Sequence, residues 1–266
     1  FAVATDEVVT VERLRIRVRV HGEGRPLLLL NGLGAPLELW DPLVGRLAGV
    51  RAIAFDAPGS GRSEPPCLPL SIRGHARLAV GVLDALGHRR VDVLGLSFGG
   101  MVAQELARVA TGCVDRLVLA STSCGWGGVP STAAALSAVQ TPSRYYSRLL
   151  FETVAPYYLG GRESTDRTFL GRQGRRRVES PPSTRGYLYQ LIAAATWSSL
   201  HYLPRVAQPT LVLAGADDPL VPALNARILA GLLPRGRAVI VSRGGHLCLL
   251  DEAGRLAPLI DDFLQR

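Results

Sequence analysis

The chain alternates short apolar runs with amphipathic stretches along most of its length. Between residues 8 and 21, apolar and charged positions alternate with a period of two, which predicts a half-exposed antiparallel hairpin at a sheet edge. Six later runs are apolar on consecutive positions, as central strands of a parallel sheet are. These runs cover residues 26–30, 51–55, 91–96, 116–120, 209–214 and 237–241. The pattern therefore predicts eight strands in one sheet.

Stretches with helical periodicity lie between these strands. They cover residues 37–47, 71–87, 101–109, 223–233 and 251–264, and Ser71 is placed to cap the second one. Strands that alternate with helices favour a mostly parallel sheet with helices on both faces. We therefore predict an α/β fold.

The alternation stops between residues 121 and 205. Gly, Pro, Ser, Arg and aromatic residues interleave there, and helices are plausible only near residues 145–153 and 186–199. Because the segment is too long for a connecting loop, we predict a helical cap at residues 123–205 inserted into a core of residues 1–122 and 206–266. We expect Trp126, Tyr145 and Trp197 to line an apolar cavity under it, although core packing explains any one of them equally well.

The net charge of +8 would usually suggest nucleic acid, but every cationic side chain is arginine, which favours a coding bias over a selected binding face. The dense cluster is Arg172, Arg175, Arg176 and Arg177. We interpret it as a solvated loop; the alternative is a contact with an anionic surface or a carboxylate-bearing substrate. We predict no nucleic-acid partner.

Cysteine usage and hydropathy narrow the class of protein further. Cys67, Cys113, Cys124 and Cys248 show neither CxxC pairing nor metal-ligand spacing, so we expect free thiols, no metal and a cytoplasmic location. For Cys248 we expect the role of a small buried residue; the alternative is a thiol that supports the candidate base His246, two residues earlier. No apolar run reaches the length of a membrane span.

The best candidate for chemistry is the sequence Gly95-Leu96-Ser97-Phe98-Gly99, which joins a predicted strand to a predicted helix. A G-x-S-x-G turn in this context exposes the serine hydroxyl at the end of a strand. The backbone N–H of Phe98 would then point to where an oxyanion forms. We assign the second oxyanion donor to the N–H of Leu33, in the glycine-rich turn after strand 26–30.

A serine nucleophile needs a histidine base that is held by a carboxylate. The chain order Ser, Asp, His is satisfied by Ser97, Asp218 and His246, each at a predicted strand end. Asp217 is adjacent to Asp218, but neighbouring side chains point in different directions. We choose Asp218 because it precedes the loop Pro219-Leu-Val-Pro222.

These motifs, with Asp56-Ala-Pro-Gly-Ser-Gly-Arg-Ser63, resemble those of the α/β-hydrolase superfamily. Asn31-Gly-Leu-Gly-Ala-Pro, Trp197-Ser-Ser-Leu-His201 and the 208–222 segment resemble intracellular medium-chain-length polyhydroxyalkanoate depolymerases. The resemblance covers about residues 27–263 and is weakest at the start of the chain and between residues 131 and 185. It implies an α/β-hydrolase fold and, as substrate, an aliphatic 3-hydroxyalkanoate ester with apolar side chains, which is a polymer, an oligomer or a small molecule.

We therefore predict a cofactor-independent serine esterase that forms an acyl-enzyme on Ser97, as a monomer or homodimer. The alternative is a thioesterase, lactonase or acyl cyclase of a biosynthetic pathway that uses the same three residues. The third hypothesis is a binding protein without catalytic activity. The presence of Ser97, Asp218 and His246 together argues against it.

Overall fold

A computed structural model describes residues 4–266 of the chain. In this range the sheet has eight strands. They are β1 (Thr5–Val11), β2 (Leu14–His21), β3 (Arg25–Leu30), β4 (Val50–Phe55), β5 (Val91–Leu96), β6 (Val114–Ala120), β7 (Thr210–Gly215) and β8 (Gly236–Val241). Their order is β1-β2-β4-β3-β5-β6-β7-β8. Strand β2 pairs antiparallel with both β1 and β4, and the five other neighbouring pairs are parallel. The predicted edge hairpin and mostly parallel sheet are confirmed.

The helices occupy both faces of the sheet and the segment between β6 and β7. They are α1 (Asp41–Val44), α2 (Ile72–Ala85), α3 (Phe98–Val109), α4 (Ala133–Val139), α5 (Arg148–Leu159), α6 (Arg167–Glu179), α7 (Thr184–Ala195), α8 (Leu224–Leu232), α9 (Cys248–Asp251) and α10 (Ala253–Gln265). Ser71 Oγ accepts the N–H of Gly74, so the predicted cap of α2 is present. Within residues 4–266, no helix combines the length and the apolar character that crossing a membrane requires.

Strand β3 shows why consecutive apolar residues are needed at the centre of the sheet. Leu28 and Leu30 belong to one buried cluster, whereas Leu27 and Leu29 belong to the other. Successive side chains of a strand point to opposite faces, so a strand covered on both faces must be apolar at every position. Helices α2, α3 and α8 cover the first face, and α1 and α10 contribute to the second.

Two predictions in the core are wrong. The helix expected over residues 37–47 is shorter: a 3₁₀ helix, Leu37–Trp40, leads directly into the single turn α1, which ends at Val44. Arg17 is one of the charged positions that the predicted alternation of the hairpin puts on its exposed face, but it is only 5% exposed. Its guanidinium contacts the carboxylates of Asp6 and Glu38 at 2.6 and 2.7 Å and that of Asp56 at 3.5 Å, which compensates its buried charge.

The segment between β6 and β7 is more helical than predicted. It contains α4 to α7, of which α5 and α7 correspond to the two expected stretches. Residues 196–199 leave the helix, and Ser198 forms an isolated bridge with Gly125. The division into a core and a cap at residues 123–205 stays a prediction.

Candidate active site

Ser97 occupies the tight turn between β5 and α3. Its backbone has φ 55° and ψ −116°, a conformation that costs energy for a residue with a Cβ. The turn is held by the Ser97 N–H, which donates to Ala120 O at 2.8 Å, and by Thr122 Oγ1, which donates to Ser97 O at 2.8 Å. A Cβ on Gly99 would collide with the carbonyl of Leu30, so helix and sheet approach closely only because glycine stands there.

Ser97, His246 and Asp218 form one hydrogen-bonded chain. His246 Nε2 lies 3.0 Å from Ser97 Oγ, and His246 Nδ1 lies 2.8 Å from Asp218 Oδ2. His246 and Asp218 are each 4% exposed, whereas Ser97 is partly open to the cavity described below. The order of contacts is that of a nucleophile, a base and an orienting carboxylate.

Only one carboxylate of the adjacent pair faces the histidine. Besides its contact with His246, Asp218 accepts the backbone N–H groups of Leu220 and Val221 on Oδ1, at 2.9 and 2.8 Å. Asp217 is exposed to solvent. The three hydrogen bonds hold Asp218 in one rotamer, with its second oxygen directed at His246.

The two predicted oxyanion donors lie beside Ser97. Phe98 is the first residue of α3, where an amide has no acceptor one turn earlier in the helix. Gly32 packs against Ser97, since a Cβ built on it would lie 3.6 Å from Ser97 Cβ. The loop after Gly32 is fixed by Tyr145 Oη, which donates to Leu33 O at 2.5 Å. In residues 4–266, the Leu33 N–H has no hydrogen-bond acceptor.

A cavity of about 580 Å³ opens above Ser97, and its wall includes Leu33, Phe98 and His246. Most of its other side chains are apolar and come from the segment between β6 and β7 and from the loops after β3 and β7. Among these are Leu136, Val139, Leu191, Ala194, Leu220 and Val221. A largely apolar cavity with a few convergent polar groups is typical of a site for a small organic ligand.

Of the three aromatic residues expected in this wall, two lie in it. Trp126 and Tyr145 line the cavity. The structure places Trp197 elsewhere, in the core on the α2–α3 face of the sheet, where its Nε1 donates to Glu105 Oε2 at 3.3 Å. The indole N–H thus has a buried carboxylate as its partner, which the sequence pattern did not indicate.

The interpretation of the arginine cluster as a solvated loop is wrong. Residues 172–177 belong to helix α6, and only one side of that helix faces solvent. Arg172 and Arg175 are exposed, but Arg177 is 4% exposed and lines the cavity. Helical periodicity separates these neighbouring arginines onto two different surfaces.

Glu163 is a residue of this site that sequence reasoning missed. It is 1% exposed, and its Oε1 accepts the N–H groups of Gly245 and Leu247, at 2.8 and 3.2 Å, on both sides of His246. The N–H of His246 itself donates to Leu159 O at 2.6 Å. Residues 159–163 therefore hold the backbone of the histidine loop, and we call them the histidine clamp.

We expect Glu163→Ala to lower kcat about 10- to 100-fold with a smaller change in KM. The substitution leaves two buried N–H groups without an acceptor and frees the loop that carries His246, and small displacements of a catalytic group can cost two powers of ten. The measurement is steady-state hydrolysis of a p-nitrophenyl ester. Glu179→Ala, an exposed glutamate at the end of α6, is the matched control.

Glu163→Gln separates the acceptor from the charge, because its amide oxygen still accepts both N–H groups. Burial raises the pKa of Glu163 from its usual 4.5 to about 7, so the folded protein binds a proton there that the unfolded chain releases. The free energy of unfolding of the wild type minus that of Glu163→Gln should therefore fall as pH rises from about 4.5 to about 7. Above about pH 7 this difference should stay constant. A pH-independent difference in urea denaturation, or full activity of Glu163→Ala, would contradict this role.

None of the four cysteines belongs to the hydrogen-bonded chain of Ser97, His246 and Asp218. All four are free thiols, and Cys248 is buried, as predicted. Burial raises the pKa of its thiol far above the usual value, which keeps it protonated. Within residues 4–266, no three His, Cys, Asp or Glu side chains are grouped as metal ligands.

Comparisons with known proteins agree with this fold. The model of the α/β-hydrolase fold family matches residues 25–253. A poly(3-hydroxyalkanoate) depolymerase of Ectopseudomonas oleovorans is 40% identical over 242 residues, which is 91% of this chain and 84% of that protein. A pimeloyl-[acyl-carrier protein] methyl ester esterase of Legionella pneumophila (strain Lens) is 24% identical over 95% of this chain and 100% of its own length.

Among solved structures, the enol-lactonase of Burkholderia xenovorans LB400 superimposes with a TM-score of 0.84. It is 23% identical, and the match covers 98% of this chain and 100% of the lactonase. At that identity the likeness concerns the fold alone. The family match and the 40% identity over most of both chains go further: this chain belongs to the α/β-hydrolase family.

Proposed function

We propose that the protein hydrolyses carboxylic esters of aliphatic, 3-hydroxyalkanoate-like acids through an acyl-enzyme on Ser97. The observation that carries the proposal is the hydrogen-bonded chain Ser97–His246–Asp218 at the wall of an apolar cavity. The similarity to a poly(3-hydroxyalkanoate) depolymerase supports the hydroxyalkanoate class. The cytoplasmic location and the monomeric or homodimeric state stay predictions.

In the first half of the reaction, Ser97 Oγ attacks the ester carbonyl while His246 Nε2 accepts its proton. The N–H groups of Leu33 and Phe98 stabilise the negative charge that develops on the carbonyl oxygen. His246 then passes the proton to the leaving alcohol, and the acyl group remains on Ser97. Asp218 keeps the imidazole oriented and stabilises its charged form throughout.

In the second half, His246 takes a proton from a water molecule that attacks the acyl-enzyme. The same two N–H groups stabilise the second tetrahedral intermediate, and the proton returns to Ser97 Oγ as the acid leaves.

The role proposed for the segment at 123–205 is that of a cap. Its side chains form much of the cavity wall, so they select the acyl group while the sheet positions the reacting atoms.

The cavity predicts a preference for medium-length acyl chains. Burying a methylene contributes roughly 0.8 kcal/mol, so four more methylenes should raise kcat/KM of p-nitrophenyl octanoate over the butyrate by up to roughly 200-fold. The measurement is kcat/KM for p-nitrophenyl esters of rising acyl length. If acetate is hydrolysed best and medium chains not at all, the alkanoate proposal fails, whereas a wider acyl-hydrolase function survives.

A pair of variants on α7 connects this preference to the cavity. Ala194 lines it, whereas Ile192 is half exposed and points away. Ala194→Trp should therefore shift the optimum to shorter acyl chains, and Ile192→Trp should leave it unchanged. The same shift in both variants would show that the cavity wall at Ala194 does not determine the preferred length of the acyl chain.

A further inference from the structure

Two buried arginines line the same cavity as Ser97 and His246. Arg144 comes from the 3₁₀ turn Pro142–Tyr145, and Arg177 comes from the last turn of α6. Each is 4% exposed, and both lie in the cavity wall. A guanidinium does not lose its proton at physiological pH, so this cavity carries two positive charges.

The partners of both arginines are neutral. Arg144 Nη1 donates to the carbonyl oxygens of Ala138 and Thr141, at 3.4 and 3.0 Å. Arg177 Nη1 donates to the backbone and side-chain oxygens of Gln173, at 3.1 and 2.8 Å. Among residues 4–266, no carboxylate lies within 4.0 Å of either guanidinium.

Arg17 shows how the same chain treats a buried arginine whose role is structural. It is as buried as the cavity pair, but three carboxylates surround it. Burying a charge without a counter-charge is costly, and buried charges are normally paired. Arg144 and Arg177 therefore lack the carboxylate counter-charges that surround Arg17.

Aromatic rings compensate only part of that cost. The Arg144 guanidinium lies 5.1 to 5.2 Å from the ring centres of Tyr145, Tyr158 and Tyr187, and that of Arg177 lies 4.7 Å from the ring of Phe151. These contacts orient the two planar groups, and a neutral ring supplies no counter-charge. The Nε atoms of both arginines and the hydroxyl of Tyr158, another residue of the cavity wall, are buried and have no hydrogen-bond partner in the described chain.

We infer that Arg144, Arg177 and the Tyr158 hydroxyl form a subsite for a carboxylate on the substrate. Planar guanidinium groups match the two oxygens of a carboxylate, and a ligand carboxylate would supply the missing counter-charge. This inference rests on the proposed ester hydrolysis at Ser97. It narrows the substrate class to esters that also carry a free carboxylate, and for a linear hydroxyalkanoate that group is the acid end of a short oligomer.

The test compares two forms of one substrate: the linear dimer of 3-hydroxyoctanoate as the free acid, and the same dimer with its terminal carboxylate converted to the primary amide. Release of the monomer is followed by chromatography. We expect wild-type kcat/KM to be at least about 30-fold higher for the acid, as is typical when one partner of a buried charge pair is removed. Because this comparison needs no variant, it does not depend on whether a substitution disturbs folding.

Variants assign the preference to the two arginines. Arg144→Gln and Arg177→Gln should each bring the ratio of acid to amide close to one. Arg175→Gln, on the same helix but exposed to solvent, should keep the wild-type ratio. The ratio is the readout because a general loss of packing lowers both rates together.

Equal wild-type kcat/KM for the acid and the amide would overturn the subsite and leave the proposed function standing. A preference for the acid that survives both arginine variants would also overturn it. If the protein cleaves neither dimer nor any p-nitrophenyl ester, the proposed function itself fails, so the two failures are distinguishable.

Discussion

Ser97→Ala should lower ester hydrolysis by at least about 10⁴-fold and abolish covalent labelling by a fluorophosphonate. Alanine removes the only atom of that side chain that can attack a carbonyl, and the acyl-enzyme cannot form without it. The remaining rate should come from binding and from the oxyanion donors alone. The measurement is hydrolysis of p-nitrophenyl octanoate together with gel detection of the labelled protein.

Ser121 provides a matched control for this substitution. It follows β6, the strand next to β5, and has a similar positive φ of 45°. Its side chain is fully buried, so it cannot reach a substrate. Ser121→Ala should keep the labelling and most of the activity, and both variants should retain a cooperative thermal transition. Substantial turnover by purified Ser97→Ala protein would show that Ser97 is not the nucleophile.

Asp218→Asn should lower kcat by about 10⁴-fold, since an asparagine no longer stabilises the imidazolium and favours the wrong tautomer of His246. Asp217→Asn should change kcat by less than about threefold, because Asp217 is exposed and the adjacent carboxylate contacts His246. Both variants are compared at several pH values with the same p-nitrophenyl ester.

The two aspartates are neighbours of equal charge, so any general electrostatic effect of the substitution is shared. The difference between them therefore reports the hydrogen bond to His246. The reverse ranking, with Asp217→Asn the more damaged enzyme, would exclude Asp218 as the orienting carboxylate.

The sheet and the turn at Ser97 could be predicted because local residues determine them. Leu27 to Leu30 are apolar at every position since both faces of β3 are covered, and the glycines around Ser97 are needed for close backbone contact. Because adjacent side chains diverge, the sequence limits the contact with His246 to one of Asp217 and Asp218, and the following loop Pro219–Pro222 favours Asp218. These features depend on residues within one strand, turn and helix.

The features that escaped prediction depend on contacts between distant parts of the chain. Glu163 binds backbone groups more than eighty residues away, and nothing in its own neighbourhood indicates this. Trp197 finds its partner Glu105 on α3, and Arg17 finds its partners on three different segments. Charge and aromaticity in a sequence predict that a side chain needs a partner, but not whether the partner is solvent, substrate or the core.

The histidine clamp has a consequence for motion. Because Leu159 and Glu163 hold the backbone on both sides of His246, a rigid swing of the whole segment between β6 and β7 would take the base out of register with Ser97. Any motion that admits the substrate would therefore have to keep residues 159–163 in contact with the backbone around His246.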